Sequence, residues 1–264
     1  MNTLPFPSTQ TISAAGHTLH YQYVGPPDKQ APLLVFLHEG LGSIAQWKDF
    51  PDKLCTATEH LGLVYERYGF GQSDALKEER PVSYLEDEAD TLIEVLDQLN
   101  HSQPVILVGH SDGGSIALVA AARYPARIKA VITEAAHIFV EDITIAGIQA
   151  AKTVYESNPR LKEALARYHG THVDSTFYGW NRTWLKPEFY HWNIEHYLPA
   201  IICPLLVIQG EDDEYGSSAQ VEGIVQQTKG QATSLLVANC GHTPHQQQPT
   251  IVLESMCRFI LHTR

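Results

Sequence analysis

Short apolar runs and longer stretches of helical periodicity take turns along this chain. Near its start, residues 9–14 and 17–24 flank Gly16 and alternate in polarity, with Leu19, Tyr21 and Tyr23 set against His20 and Gln22. That period of two predicts an antiparallel hairpin with one face in the core. Leu33-Leu34-Val35-Phe36-Leu37, Gly62-Leu63-Val64-Tyr65 and Val105-Ile106-Leu107-Val108 are unbroken apolar runs too short for helices. Such runs predict strands covered on both faces. Further strands are expected at 128–133, 205–209 and 234–237. Between them, Ser83-x-x-Glu86 reads as a capping box, and Leu85, Ala89, Leu92, Ile93, Leu96 and Leu99 follow at helical spacing. Helices are also expected at 115–122, 218–227 and 249–261. This order predicts an α/β protein: a mostly parallel eight-stranded sheet, antiparallel at its start and wrapped by helices.

One stretch, 137–202, breaks the rhythm. It reads as helical at 148–155 and 159–168 and then turns aromatic, with Phe177, Tyr178, Trp180, Trp184, Phe189, Tyr190 and Trp192. Lying between two strands, it is expected to be an inserted helical cap over the C-terminal ends of the sheet, where ligands bind in α/β proteins. The core would then comprise 1–136 and 203–264. Roughly a third of the aromatics should line a pocket, given how pockets are usually lined. Phe177, Trp180, Trp184 and Trp192 are the candidates, and the rest pack cap against core.

Composition narrows the partners. The 264 residues are 44% hydrophobic, enough for one large core, and the formal net charge is -12. A chain this acidic is a poor match for nucleic acid or an anionic membrane, both of which need a basic face. No apolar run reaches the roughly 18 residues of a membrane span. Met1-Asn2-Thr3-Leu4-Pro5-Phe6-Pro7 lacks the basic region and long apolar core of a secretory signal. Cys55, Cys203, Cys240 and Cys257 are scattered without a C-x-x-C pair, as free thiols in a reducing compartment would be. The expectation is a cytoplasmic monomer or small homo-oligomer acting on a small molecule.

The chemistry centres on Gly109-His110-Ser111-Asp112-Gly113, set between a strand and a helix. This is the setting of a nucleophile elbow, Gly-x-Ser-x-Gly. The tight turn strains the serine backbone, which close neighbours without side chains permit, hence Gly109 and Gly113. Ser111 is therefore the candidate nucleophile. It needs a base to take its proton and an acid to hold the base. In this kind of fold the order along the chain is serine, acid, histidine. After the strand at 205–209 comes Gly210-Glu211-Asp212-Asp213-Glu214. Asp213 is the choice there, with Asp212 a near rival and Glu134 a distant one. After the last strand, His242 follows Gly241 and is the expected base, whereas His245 should cap the next helix or face solvent. The oxyanion hole is assigned to the backbone N–H of Asp112 and of Gly40, in the loop His38-Glu39-Gly40-Leu41-Gly42-Ser43.

These motifs together resemble the α/β-hydrolase-fold serine hydrolases, in the group of small bacterial esterases and hydrolases with a helical cap. The resemblance spans nearly the whole chain: His38-x-Gly40-x-Gly42-Ser43, Arg67-x-Gly69-x-Gly71-x-Ser73-Asp74, the elbow, Gly210-x-x-Asp213 and Gly241-His242. It implies cleavage of a small carboxylic ester through an acyl-enzyme, with no metal or organic cofactor. Carbon–carbon hydrolysis of a vinylogous diketone, as in meta-cleavage hydrolases, is the first alternative, followed by thioester or amide cleavage and by a non-catalytic ligand sensor. Haloalkane dehalogenases and epoxide hydrolases would need a carboxylate where Ser111 stands. Two departures stand out. Glu39 replaces the glycine that most relatives carry after the first histidine, and it is a tentative pocket residue. Asp112 is acidic where many have an apolar or amide residue, and a negative rim would disfavour anionic substrates. Elsewhere, His169-x-x-His172 with Asp174 lacks a partner motif for a metal. Cys240 reads as a buried filler, and Gly69-x-Gly71 as a turn.

Overall fold

The computed structural model describes residues 9–26 and 31–263, so the N-terminal segment weighed above as a signal lies outside the described residues. In chain order the elements are β1 (Gln10–Ala14), β2 (His17–Val24), β3 (Leu34–Leu37), α1 (Phe50–Thr58), β4 (Gly62–Tyr65), α2 (Tyr84–Gln98), β5 (Val105–His110) and α3 (Asp112–Arg123). Then follow β6 (Ile128–Glu134), α4 (Asp142–Ser157), α5 (Pro159–His169), α6 (Val173–Trp184), β7 (Leu205–Gly210), α7 (Ser218–Gln227), β8 (Ala232–Val237), α8 (Pro244–Gln247) and α9 (Pro249–His262). The strands form one eight-stranded sheet in the order β1-β2-β4-β3-β5-β6-β7-β8. β1 and β2 pair antiparallel, β2 joins β4 antiparallel, and every pairing from β4 to β8 is parallel.

The unbroken apolar runs now have a cause. Alternate residues of a strand point to opposite faces, and both faces are dry. Val35, Leu37, Val105 and Leu107 join the core formed with α2, α3 and α7, while Leu34, Phe36, Ile106 and Val108 join the core formed with α1 and α9. Helix α1 has no clear apolar period in the sequence. Its buried face is Phe50, Leu54, Cys55 and Thr58, too short and too mixed to register as an apolar period. Ser83 does sit at the N-cap of α2, but no capping box forms. Ser83 Oγ donates to Asp87 Oδ2 instead, at 3.0 Å, and the Glu86 carboxylate accepts from Trp192 Nε1 at 3.3 Å.

The centre of the sheet turns on one residue. β5 ends at His110 and α3 begins at Asp112, leaving Ser111 alone between them at φ 52° and ψ -117°. A non-glycine residue holds such angles only where its surroundings over-determine them. Here the strand and helix close so tightly that a Cβ on Gly109 would run into the Gly113 carbonyl, and one on Gly113 into the Leu37 carbonyl.

Between β6 and β7 the chain builds a helical insertion from α4, α5 and α6. Tyr155 stacks on Phe177 with ring centroids 3.7 Å apart, which fastens α4 to α6. Polar contacts fasten the insertion to the sheet loops. Thr176 Oγ1 donates to the Gly69 carbonyl at 2.8 Å, and His169 bridges the Gly71 N–H and the Leu41 carbonyl, each at 2.9 Å. Among the described residues no helix is long and apolar enough to cross a membrane.

Gly109→Ala is expected to destabilise the fold by about 3 kcal/mol, because its new methyl meets backbone that cannot rotate away. Urea titration of both proteins checks this.

Candidate active site

Three side chains from three loops converge at the C-terminal edge of the sheet. Ser111 leaves the strained turn after β5, Asp213 lies three residues past β7, and His242 follows β8. The Ser111 hydroxyl donates to His242 Nε2 at 2.9 Å, and His242 Nδ1 donates to Asp213 Oδ1 at 2.8 Å. That tautomer leaves Nε2 free to take a proton. Asp213 is buried, whereas its rival Asp212 is exposed. Burial by itself would raise the Asp213 carboxyl, but the His242 imidazole and the Tyr215 N–H, 2.9 Å from Oδ1, hold it below the usual range.

The loop after β3 is held by its carbonyls. The Glu39 carbonyl accepts from His38 Nδ1 at 2.7 Å, from Arg67 Nη2 at 3.0 Å and from the Gly42 N–H at 3.0 Å. These contacts fix the Glu39–Gly40 peptide, whose C=O and N–H point in opposite directions, and Gly40 lines a cavity together with Ser111. Asp112 occupies the first turn of α3, where backbone N–H groups have no partner within the helix. Arg67, not among the residues expected at the site, lies against the loop after β3. Its place in the Arg67-x-Gly69-x-Gly71 motif was the available signal, but only the fold shows its guanidinium beneath the loop. His38 is kept neutral: burial, reinforced by Arg67, holds it well below the ordinary histidine range.

A cavity of about 110 Å³ opens beside Ser111. The loops at the sheet edge contribute Glu39, Gly40, Leu41, Asp112, His137, Tyr215 and His242, and helices α4 and α6 contribute Thr144, Ile148, Trp180 and Trp184. Trp180 lies so close over Gly40 that a Cβ there would strike its indole. Two expected pocket residues are elsewhere. Phe177 is consumed by its stack on Tyr155, and Trp192 stacks on Phe189 with centroids 5.5 Å apart. Both face the packing between helices, which aromatic composition alone could not distinguish from a pocket. His137, Thr144, Ile148 and Tyr215 are the converse case: lining residues with no sequence signal of their own.

The carboxylates of Asp112 and Glu39 have partners. Asp112 Oδ2 accepts from the Tyr84 hydroxyl at 2.7 Å and lies 3.6 Å from Arg67 Nη2, and Tyr84 in turn accepts from Trp184 Nε1 at 2.8 Å. Glu39 Oε2 faces His110 Nδ1 at 3.4 Å. The rim is therefore less negative than two unpaired acids would make it. His245 neither caps a helix by its side chain nor faces solvent. It is buried, with Nδ1 2.6 Å from Glu134 Oε2, and this places Glu134 in a second, internal pair away from His242. Its ring tilts against Trp47 at 4.7 Å, an apolar wall that favours burial. In the helical insertion, His169 spends both ring nitrogens on backbone, and Asp174 accepts from Tyr155 and from Lys162, each at 2.7 Å. The four cysteines are free thiols. Cys240 is buried and pushed up to about 11 by that burial and the acids around it.

The comparisons with known proteins agree with this architecture. Residues 32–190 match the family model described as alpha/beta hydrolase fold. The serine hydrolase BPHL of Homo sapiens is 28% identical over 233 residues, covering 85% of this chain and 77% of that protein. A thermophilic esterase from Thermogutta terrifontis superposes with a TM-score of 0.75 at 18% identity, covering 97% of this chain and 99% of the other. The enol-lactonase from Burkholderia xenovorans LB400 superposes with a TM-score of 0.74 at 20% identity, covering 95% and 99%. At such identities the structural likeness speaks for the fold.

Glu134→Ala leaves the buried His245 without its partner and is expected to cost about 3–5 kcal/mol of stability. Denaturant unfolding measures the loss, and an exposed control such as Asp212→Ala should stay within about 0.5 kcal/mol of the parent.

Proposed function

Because the chain belongs to the alpha/beta hydrolase fold family, we propose that it is a serine hydrolase cleaving a small carboxylic ester through an acyl-enzyme. The observation that carries the reading is the unbroken line of hydrogen bonds from Ser111 through His242 to Asp213, ending at a cavity that Gly40 and Asp112 also line. A serine hydrolase is among the proteins that it resembles in sequence.

In this mechanism Ser111 Oγ attacks the ester carbonyl carbon while His242 Nε2 takes its proton. Asp213 keeps the imidazole in the tautomer that accepts at Nε2 and stabilises the imidazolium that forms. The carbonyl oxygen becomes an oxyanion held by the N–H groups of Gly40 and Asp112, a stabilisation worth on the order of 10²–10³ in rate for each donor. The positive end of α3 points at the same atom. The tetrahedral intermediate collapses as His242 returns the proton to the leaving alcohol. Water, deprotonated by His242, then attacks the acyl carbon, and Ser111 leaves with the proton. Arg67 acts at one remove, fixing the Glu39–Gly40 peptide.

Substrate size follows from the cavity. At about 110 Å³, walled by Trp180 and Trp184, it suits a short acyl group better than a fatty chain. The proposed partner is accordingly a small-molecule ester.

Across p-nitrophenyl esters from acetate to decanoate, kcat/KM should peak among the short acyl chains and fall steadily beyond them. Ser111→Ala should lower kcat by up to about 10⁶-fold, and Asp213→Asn by about 10⁴-fold through the wrong histidine tautomer. A folded Ser111→Ala protein retaining a large share of turnover would refute the nucleophile.

A further inference from the structure

We propose that His110 is a positioning residue whose imidazolium ties the loop bearing Gly40 to the loop bearing His242 across the nucleophile, by donating from Nδ1 to the Glu39 carboxylate and from Nε2 to the His242 carbonyl. This rests on the reading of Ser111 as nucleophile.

The geometry is direct. His110 ends β5, immediately before Ser111, and is 1% exposed. Its Nε2 lies 2.7 Å from the His242 carbonyl oxygen, and its Nδ1 lies 3.4 Å from Glu39 Oε2. A carbonyl and a carboxylate are both acceptors, while a neutral imidazole has one N–H. Only the doubly protonated ring serves both loops at once. Losing one proton releases either the peptide next to Gly40 or the backbone of the proposed base.

The surroundings favour the charged ring. Glu39 faces it directly, and Glu134 adds a second negative charge from the end of β6. His242 and His245 approach as rings, with centroids 5.3 and 5.2 Å away, and the Trp47 ring stands at 6.3 Å. His245 is itself paired with Glu134. Burial works against the charge, but the Glu39 and Glu134 carboxylates and the His242 carbonyl outweigh it and raise His110 to about 9. Glu39 is correspondingly pulled below the usual carboxylate range. The acceptor is the Glu39 side chain itself, so a residue without a side-chain acceptor at position 39 could not make the tie.

The sign of the pH effect follows. The tie is complete below the ordinary histidine value near 6.5 and persists until the pH rises through about 9, where the folded ring gives up its proton. Ser111 reactivity should fall there. The readout is the rate at which a fluorophosphonate probe phosphonylates Ser111 in the full chain, forming the Oγ–P bond and expelling fluoride, followed across pH. The parent protein should lose rate with a single proton near pH 9. Glu39→Gln removes the main group holding that proton and should move the fall toward neutral pH by about one unit or more. His110→Asn should be slower by about tenfold and lack the fall.

One shared profile for all three proteins overturns the proposal, as does a parent rate that does not fall near pH 9. No phosphonylation of the parent would instead remove the nucleophile reading, and the tie with it. Phosphonylation without the fall removes the tie alone. Nitrogen NMR of the parent supplies a test without variants: both His110 ring nitrogens should carry protons at neutral pH, and a neutral ring there contradicts the proposal.

Discussion

Ser111 stands at a backbone angle that side-chain-bearing residues rarely adopt, φ 52°, and the centre of the molecule is arranged to keep it there. The parallel strand β5 cannot turn into α3 through one residue unless strand and helix nearly touch. That contact leaves no space for a Cβ at Gly109 or Gly113. Both faces of β5 must also be dry and close-packed, which the two apolar cores on either side of the sheet provide. Fixed in this way, the serine hydroxyl has little freedom and meets His242 within hydrogen-bond distance.

Around that point the molecule solves an electrostatic problem. Several ionisable groups lie buried within a small radius, and each unpaired one would be costly. They are handled in pairs or by backbone: His242 with Asp213, His245 with Glu134, His110 with Glu39 and Asp112 with Arg67 and Tyr84. His38 is neutral and bonded to backbone. Each pair also joins separate segments, so the pairing positions the loops while it neutralises the charge. Arg67 illustrates the economy, since one guanidinium reaches the carbonyls of His38 and Glu39 as well as Asp112.

The sheet was legible in the sequence because a strand buried on both faces leaves an unbroken apolar run, and the elbow because its glycines sit at fixed offsets from Ser111. Asp213 and His242 could be placed by order along the chain, since each follows a strand whose end is marked by composition. Other features depended on contacts between distant segments. Phe177 and Trp192 look like pocket aromatics until Tyr155 and Phe189 are seen stacked on them. His245 looks like a surface residue until β6 brings Glu134 beneath it. The capping box expected at Ser83 is absent: Ser83 bonds Asp87, and Glu86 instead meets Trp192 from a distant segment. Local pattern carries no information about such partners.

Covalent catalysis by Ser111 passes through an acyl-enzyme that can be trapped. The protein would be mixed with p-nitrophenyl acetate, quenched in acid during turnover, digested and analysed by mass spectrometry. With Ser111 as the nucleophile, an acetyl group should be found on the peptide containing Ser111, formed with a burst of nitrophenolate. Steady turnover with Ser111 unmodified, or with acetyl found at another residue, would contradict it.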